Sequence, residues 1–115
     1  MAFYDHVPIY QTATIDSSQT SSAVDLEGLT LSGVRTTTGL ISTSITFLSA
    51  ELSTGTYLPL VTSTGGTVTV TVSTSAAQQI SIDPVNFLGV RHVKVKTAST
   101  ESNKTFTLLM RPWGL

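Results

Sequence analysis

The run Thr67-Val68-Thr69-Val70-Thr71-Val72-Ser73 alternates without a break, valine at every even position and a hydroxyl side chain at every odd one. Successive side chains of an extended strand point to opposite faces, so this stretch reads as a strand with one apolar face on a core and one wet face. Gly65-Gly66 directly before it is a hairpin signal, because both residues can take the positive φ that primed turns require. The partner strand is then expected at residues 56–62, with Pro59 placing it at a sheet edge or a bulge.

The same period recurs outward in both directions. Residues 40–48 place Ile41, Thr43, Ile45 and Phe47 on one face, bounded by Gly39 and by Ser53-Thr54-Gly55. A Thr-rich extended segment is expected at 9–15, followed by a loop at 17–22 that has no apolar side chain, and short strands at 23–26 and 29–34. Downstream, 79–82 reads as a short strand. Asp83-Pro84 opens a helical turn through Phe87 that Gly89 ends. Residues 90–97 turn Val93 and Val95 inward and His92, Lys94 and Lys96 outward, and 104–111 align Phe106, Leu108 and Met110.

About eight short strands at near-regular spacing, with no useful helix period, predict an all-β fold. The expected architecture is a single antiparallel β-sandwich, jelly-roll or immunoglobulin-like, formed by one domain over residues 1–115. An extended N-terminal arm is expected at 1–9 and a short C-terminal tail at 112–115.

Composition narrows the function. Of 115 residues, 40% are hydrophobic and only 11% charged, under half the roughly 25% usual in soluble domains. Ser and Thr, together roughly a third of the chain, must solvate the surface instead. Such a surface offers little repulsion between copies, so assembly is expected. A net charge of -1 gives no basis for holding a nucleic-acid backbone. Without cysteine there is no disulfide or thiolate chemistry. The N-terminus has neither the basic nor the apolar region of a secretory signal, and no apolar stretch is long enough for a membrane helix, so a cytoplasmic product with no membrane contact is expected. Asn103-Lys104-Thr105 matches the glycosylation acceptor pattern, which means little without a secretory signal.

No catalytic constellation, cofactor site or metal site is expected. The acids are Asp5, Asp16, Asp25, Glu27, Glu51, Asp83 and Glu101, with no paired-carboxylate spacing, and His6 and His92 lie far apart. No Gly-x-Ser-x-Gly elbow accompanies the many serines. Asp83 reads as a cap, and calcium at Asp16, Asp25 or Asp83 lacks the dense acidic loop such a site gathers. Arg91 and Arg111 flank apolar strands where few charges stand to pair with them. They are expected as strand-end groups or as contacts to an acidic partner. Phe3, Tyr4, Val7 and Ile9 lie outside any strand and suit an arm packing on a neighbour. Trp113 is a second candidate anchor.

Several segments taken together carry a family likeness. These are Asp25-Leu26-Glu27-Gly28-Leu29-Thr30-Leu31, Ser44-Ile45-Thr46-Phe47-Leu48-Ser49, Leu58-Pro59-Leu60-Val61 and Gly66-Thr67-Val68-Thr69-Val70. They continue through residues 82–95, from Ile82-Asp83-Pro84 to Val93-Lys94-Val95, and close with Thr105-Phe106-Thr107-Leu108-Leu109-Met110-Arg111-Pro112. Over residues 22–112 the chain resembles a group of small tailed-bacteriophage virion proteins of β-sandwich type. The resemblance implies a capsid decoration or cement protein, located in the virion, whose partners are the major capsid protein and copies of itself as a dimer or trimer. A tail or baseplate component is the alternative within the same particle. A glycan-binding sandwich that stacks sugars on Tyr4, Tyr10, Tyr57 or Trp113 is the alternative outside it.

Overall fold

A computed structural model describes residues 9–112. Among them ten strands follow one another: β1 (Tyr10–Ile15), β2 (Ser18–Thr20), β3 (Val24–Asp25), β4 (Thr30–Arg35), β5 (Ser44–Ala50), β6 (Leu58–Pro59), β7 (Thr69–Thr71), β8 (Gln79–Ser81), β9 (His92–Glu101) and β10 (Lys104–Arg111). A 3-10 turn, Pro84–Phe87, lies between β8 and β9. They form two antiparallel sheets, one ordered β1-β10-β4-β8 and the other β2-β9-β5-β6, with β3 also on β9 and β7 also on β5.

The alternating apolar positions meet between the sheets, as a β-sandwich requires. Ala13, Ile15, Leu31, Val34, Phe106, Leu108 and Met110 face Val24, Ile45, Phe47, Val70, Val93 and Val95, all buried. Phe87, carried inward by the 3-10 turn, meets the Phe47 ring edge to face at 5.1 Å between centroids. Asp83 caps that turn by accepting from the Val85 N–H. Gly33 on β4 has no side chain where a Cβ would stand 3.1 Å from the Ile80 carbonyl oxygen, which lets β8 pack close.

The sheets are joined at one side by two adjacent corners. The chain crosses from β1 to β2 through Asp16-Ser17 and from β9 to β10 through Ser102-Asn103, and Ile15 pairs Lys104 while Ser18 pairs Glu101 across them. Ser17 (φ 56) and Asn103 (φ 53) both take the left-handed conformation. Short polar side chains tolerate it better than branched ones do.

Four expectations change. Residues 17–22 are not wholly a loop, because β2 pairs with β9 through main-chain groups, which need no apolar side chain. The strand expected at 40–48 starts only at Ser44. Ile41 is 65% exposed while Leu40 and Ser42 are buried, since the backbone of 41–42 is held by a buried carboxylate instead of a strand neighbour. Residues 56–62 and 67–73 pair as a hairpin only near the turn, where Val61 bridges Thr67, the Val68 N–H donates to the Leu60 C=O at 3.1 Å and the Thr62 N–H donates to the Gly66 C=O at 2.7 Å. Beyond it both segments lie along β5, with Pro59 opposite Leu48 and Val70 opposite Ile45. The intervening 61–67 folds out around Gly65 (φ 89). The strand number rises accordingly from about eight to ten.

Candidate functional site

Strand β5 ends at Ala50, opposite His92 at the start of β9. The chain then leaves the sheet, turns through a Gly55 N–H to Leu52 C=O bond of 2.9 Å, and returns as β6 with Leu58 opposite Ser49. Beside it, Gly89 (φ 80) releases the chain from the 3-10 turn towards β9. Between these segments lies an open hollow of about 430 Å³, with Ala50, Leu52, Leu58 and Val90 among its lining and Glu51 and Arg91 as its charged groups. Leu52 is 67% and Leu58 62% exposed. Isolated exposed leucines are ordinary, but two beside one concavity are the pattern of a contact surface.

Arg91 is held in place. Its Nε donates to Asp25 Oδ1 at 2.6 Å and its Nη2 to Oδ2 at 3.1 Å. Asp25 Oδ1 also accepts the Glu27 N–H at 2.8 Å, and the Gln11 side chain ties β1 to the Asp25 carbonyl at 2.8 Å. The hydrogen bond from Arg91 holds the Asp25 carboxyl below the usual aspartate range, against the opposing cost of burial. The expectation that Arg91 has few charges to pair with is therefore corrected. Strand pairing sets Asp25 opposite His92, the residue after Arg91.

At the far end of β9 lies a group the sequence did not single out as a centre. Glu101 has no exposure, and its carboxylate accepts from the Ile41 N–H (3.1 and 3.0 Å), the Ser42 N–H (2.7 Å) and Ser42 Oγ (2.7 Å). Burial alone would raise its pKa. The Ser42 hydroxyl, the two backbone donors and the charge of Lys104 outweigh that and hold it below the ordinary glutamate range. The signal was a glutamate at an inward-facing strand position, since β9 continues its alternation from Val93 and Val95 through Thr97 to a buried Glu101.

Of the expected contact residues, the structure brings Ile9, Arg91 and Arg111 to one end of the sandwich. The Ile9 carbonyl accepts the Met110 N–H at 2.8 Å, Arg111 pairs Thr30 at the end of β10, and Arg91 stands in the hollow. Phe3, Tyr4, Val7 and Trp113, with most of the proposed arm and tail, lie outside the described residues, as does His6. Asp25 is occupied by Arg91 and Asp83 by its cap. Among the described residues no three His, Asp or Glu side chains gather to hold a metal ion. Lys94 Nζ lies 4.4 Å from the centroid of the Tyr57 ring, and the Tyr57 hydroxyl donates to the Ser53 carbonyl at 3.0 Å. Tyr10, 55% exposed, lies on the other sheet. No described helix is long and apolar enough to cross a membrane.

No protein-family model, curated protein or solved structure matches this chain.

Proposed function

We propose that the chain is a non-enzymatic structural protein of a tailed-bacteriophage particle. In this reading it decorates the head by binding the outer surface of the major capsid protein lattice and is made in the host cytoplasm. The resemblance noted above supplies the setting. The observation that carries the docking role is the open hollow with Leu52 and Leu58 exposed on it and Arg91 fixed at its rim.

A protein that must bind the same surface many times gains from a preformed concave face, because little ordering entropy is lost when it docks. Exposed leucines supply apolar area, and an arginine already held by a carboxylate enters the contact as a neutral, oriented pair rather than as a bare charge. The buried Glu101 accepts hydrogen bonds from three donors of its own fold, which suits a clamp. Placement on the tail or baseplate would use the same face. The glycan reading has less support, since Lys94 covers the Tyr57 ring and Tyr10 sits on the opposite sheet.

Cryo-electron microscopy of the native particle tests the proposal. The expected result is sandwich-shaped density in copies that follow the head lattice, with the hollow against the capsid. A few copies confined to the tail would move the protein there. Its absence from the particle would overturn the virion reading.

A further inference from the structure

Residues 52–82 contain no aspartate, glutamate, lysine, arginine or histidine. This stretch builds β6, β7 and β8, which are the last strands of their two sheets on the same side of the sandwich. Both free edges on that side are thus made from charge-free chain. The opposite side differs. There the Thr14 C=O accepts the Ser22 N–H at 3.0 Å and the Thr14 N–H donates to Ser22 Oγ at 3.3 Å, so the outer edge of β1 is partly covered by its own chain.

Natural sheets protect free edges with lysine, proline, bulges or a covering segment. On the β6–β7 edge only Pro59 does so, and it guards β6. Residues 67–73 have none of these devices, and a β-prone, uncharged, proline-free run of this length is the composition that pairs with further strands. The main-chain geometry says which groups are offered. The Val72 N–H donates to the Thr43 C=O at 3.0 Å, and Val70 sits opposite Ile45, so the even residues bond towards β5. Antiparallel bonding alternates along a strand, which turns the N–H and C=O groups of Thr69 and Thr71 away from β5 to the open edge.

We propose that a second copy of this chain pairs with this edge, β7 against β7 in antiparallel register across a two-fold axis at Val70. Thr69 of one copy then bonds to Thr71 of the other and the reverse, extending the second sheet through both molecules. An isologous contact places each residue near its own counterparts, so a charge anywhere on the edge would meet its like. The missing charge therefore favours a second copy over a partner of complementary charge. Arg35 reaches β8 by donating from Nε to Gln79 Oε1 at 3.0 Å, on the other sheet. The contact rests on the reading of the protein as a multi-copy structural component only for its biological setting.

The test is sedimentation equilibrium of the full chain over a wide concentration range, together with amide hydrogen exchange. The expected mass is twice 12.2 kDa. Exchange at the Thr69 and Thr71 amides should slow as the protein associates, while Val70 and Val72 stay protected throughout. The double variant Thr69→Lys with Thr71→Lys changes only exposed side chains and should weaken association by more than about tenfold, because it sets lysines opposite lysines. Thr71→Pro removes an outward N–H and should do the same with the fold kept, whereas Thr12→Lys on β1 should leave the dimer intact. A monomer at every concentration overturns the proposal, as does a dimer indifferent to both edge variants or one in which the Thr69 and Thr71 amides exchange freely. A monomer in solution that is nonetheless found in many copies on the particle would remove the edge contact and leave the virion reading standing.

Discussion

Strand β9 connects two ends of the molecule with opposite characters. At its C-terminal end a fully buried carboxylate takes hydrogen bonds from the Ile41 N–H and from both the N–H and the hydroxyl of Ser42. Among the described residues no buried side-chain nitrogen or oxygen lacks a partner. At its N-terminal end the charged pair Arg91–Asp25 is exposed and Leu52 and Leu58 stand in solvent beside a hollow. One end uses a polar group to hold the fold; the other leaves apolar groups unused by it. Residues that a fold does not need for its own stability are the ones free to serve a partner.

Removing the clamp should have the largest effect. Glu101→Ala removes the acceptor of the Ile41 and Ser42 N–H groups and leaves the Ser42 hydroxyl only the Ser99 carbonyl, at 3.3 Å, to donate to, and a loss of about 3 kcal/mol in unfolding free energy is expected, measurable by denaturant titration. A loss below a few tenths of a kcal/mol would mean that water replaces the carboxylate and that the end is not held as described.

The pH dependence comes next. The folded Glu101 has a lowered pKa, so the stability it contributes is fully present above the ordinary glutamate range and is lost as pH falls through the lower folded value. Thermal melts across acidic pH should show the wild-type midpoint falling there, and Glu101→Gln should flatten that part of the profile. Equal slopes for the two proteins would detach the clamp from acid stability.

A smaller effect on folding is expected at the other end. Leu58→Ser at an exposed position should change stability by no more than about 0.5 kcal/mol, yet reduce the amount of the chain bound to particles in a reconstitution assay. If Leu58→Ser destabilised the fold as much as Glu101→Ala, the contrast between the ends would disappear. Smallest of all, Arg91→Ala should leave the melting temperature nearly unchanged at high salt, because an exposed pair is screened there.

The strand faces around Val68, Val70, Val72, Val93, Val95, Phe106, Leu108 and Met110 were legible because period-2 alternation is a local property. The Asp83 cap was legible for the same reason, since its donor is two residues away. Residues 18–20 were not, because serine, glutamine and threonine in a strand look like a loop until β9 supplies the backbone partner. Ile41 was placed on the wrong face because Glu101, far along the chain, draws the 41–42 backbone out of strand geometry. The hollow could not be read at all, as its lining comes from two separated loops.

What the sequence determined by itself is therefore the class of the fold, the inward face of most strands and the scarcity of charge. Each follows from residue type and from spacing over a few positions. The tertiary structure alone decided that Arg91 meets Asp25, that Glu101 becomes the clamp of one end, and that the charge-free residues 52–82 supply both open edges on one side. These depend on which distant segments the sheets bring together, and the free energy that selects such pairings is a property of the whole packed chain.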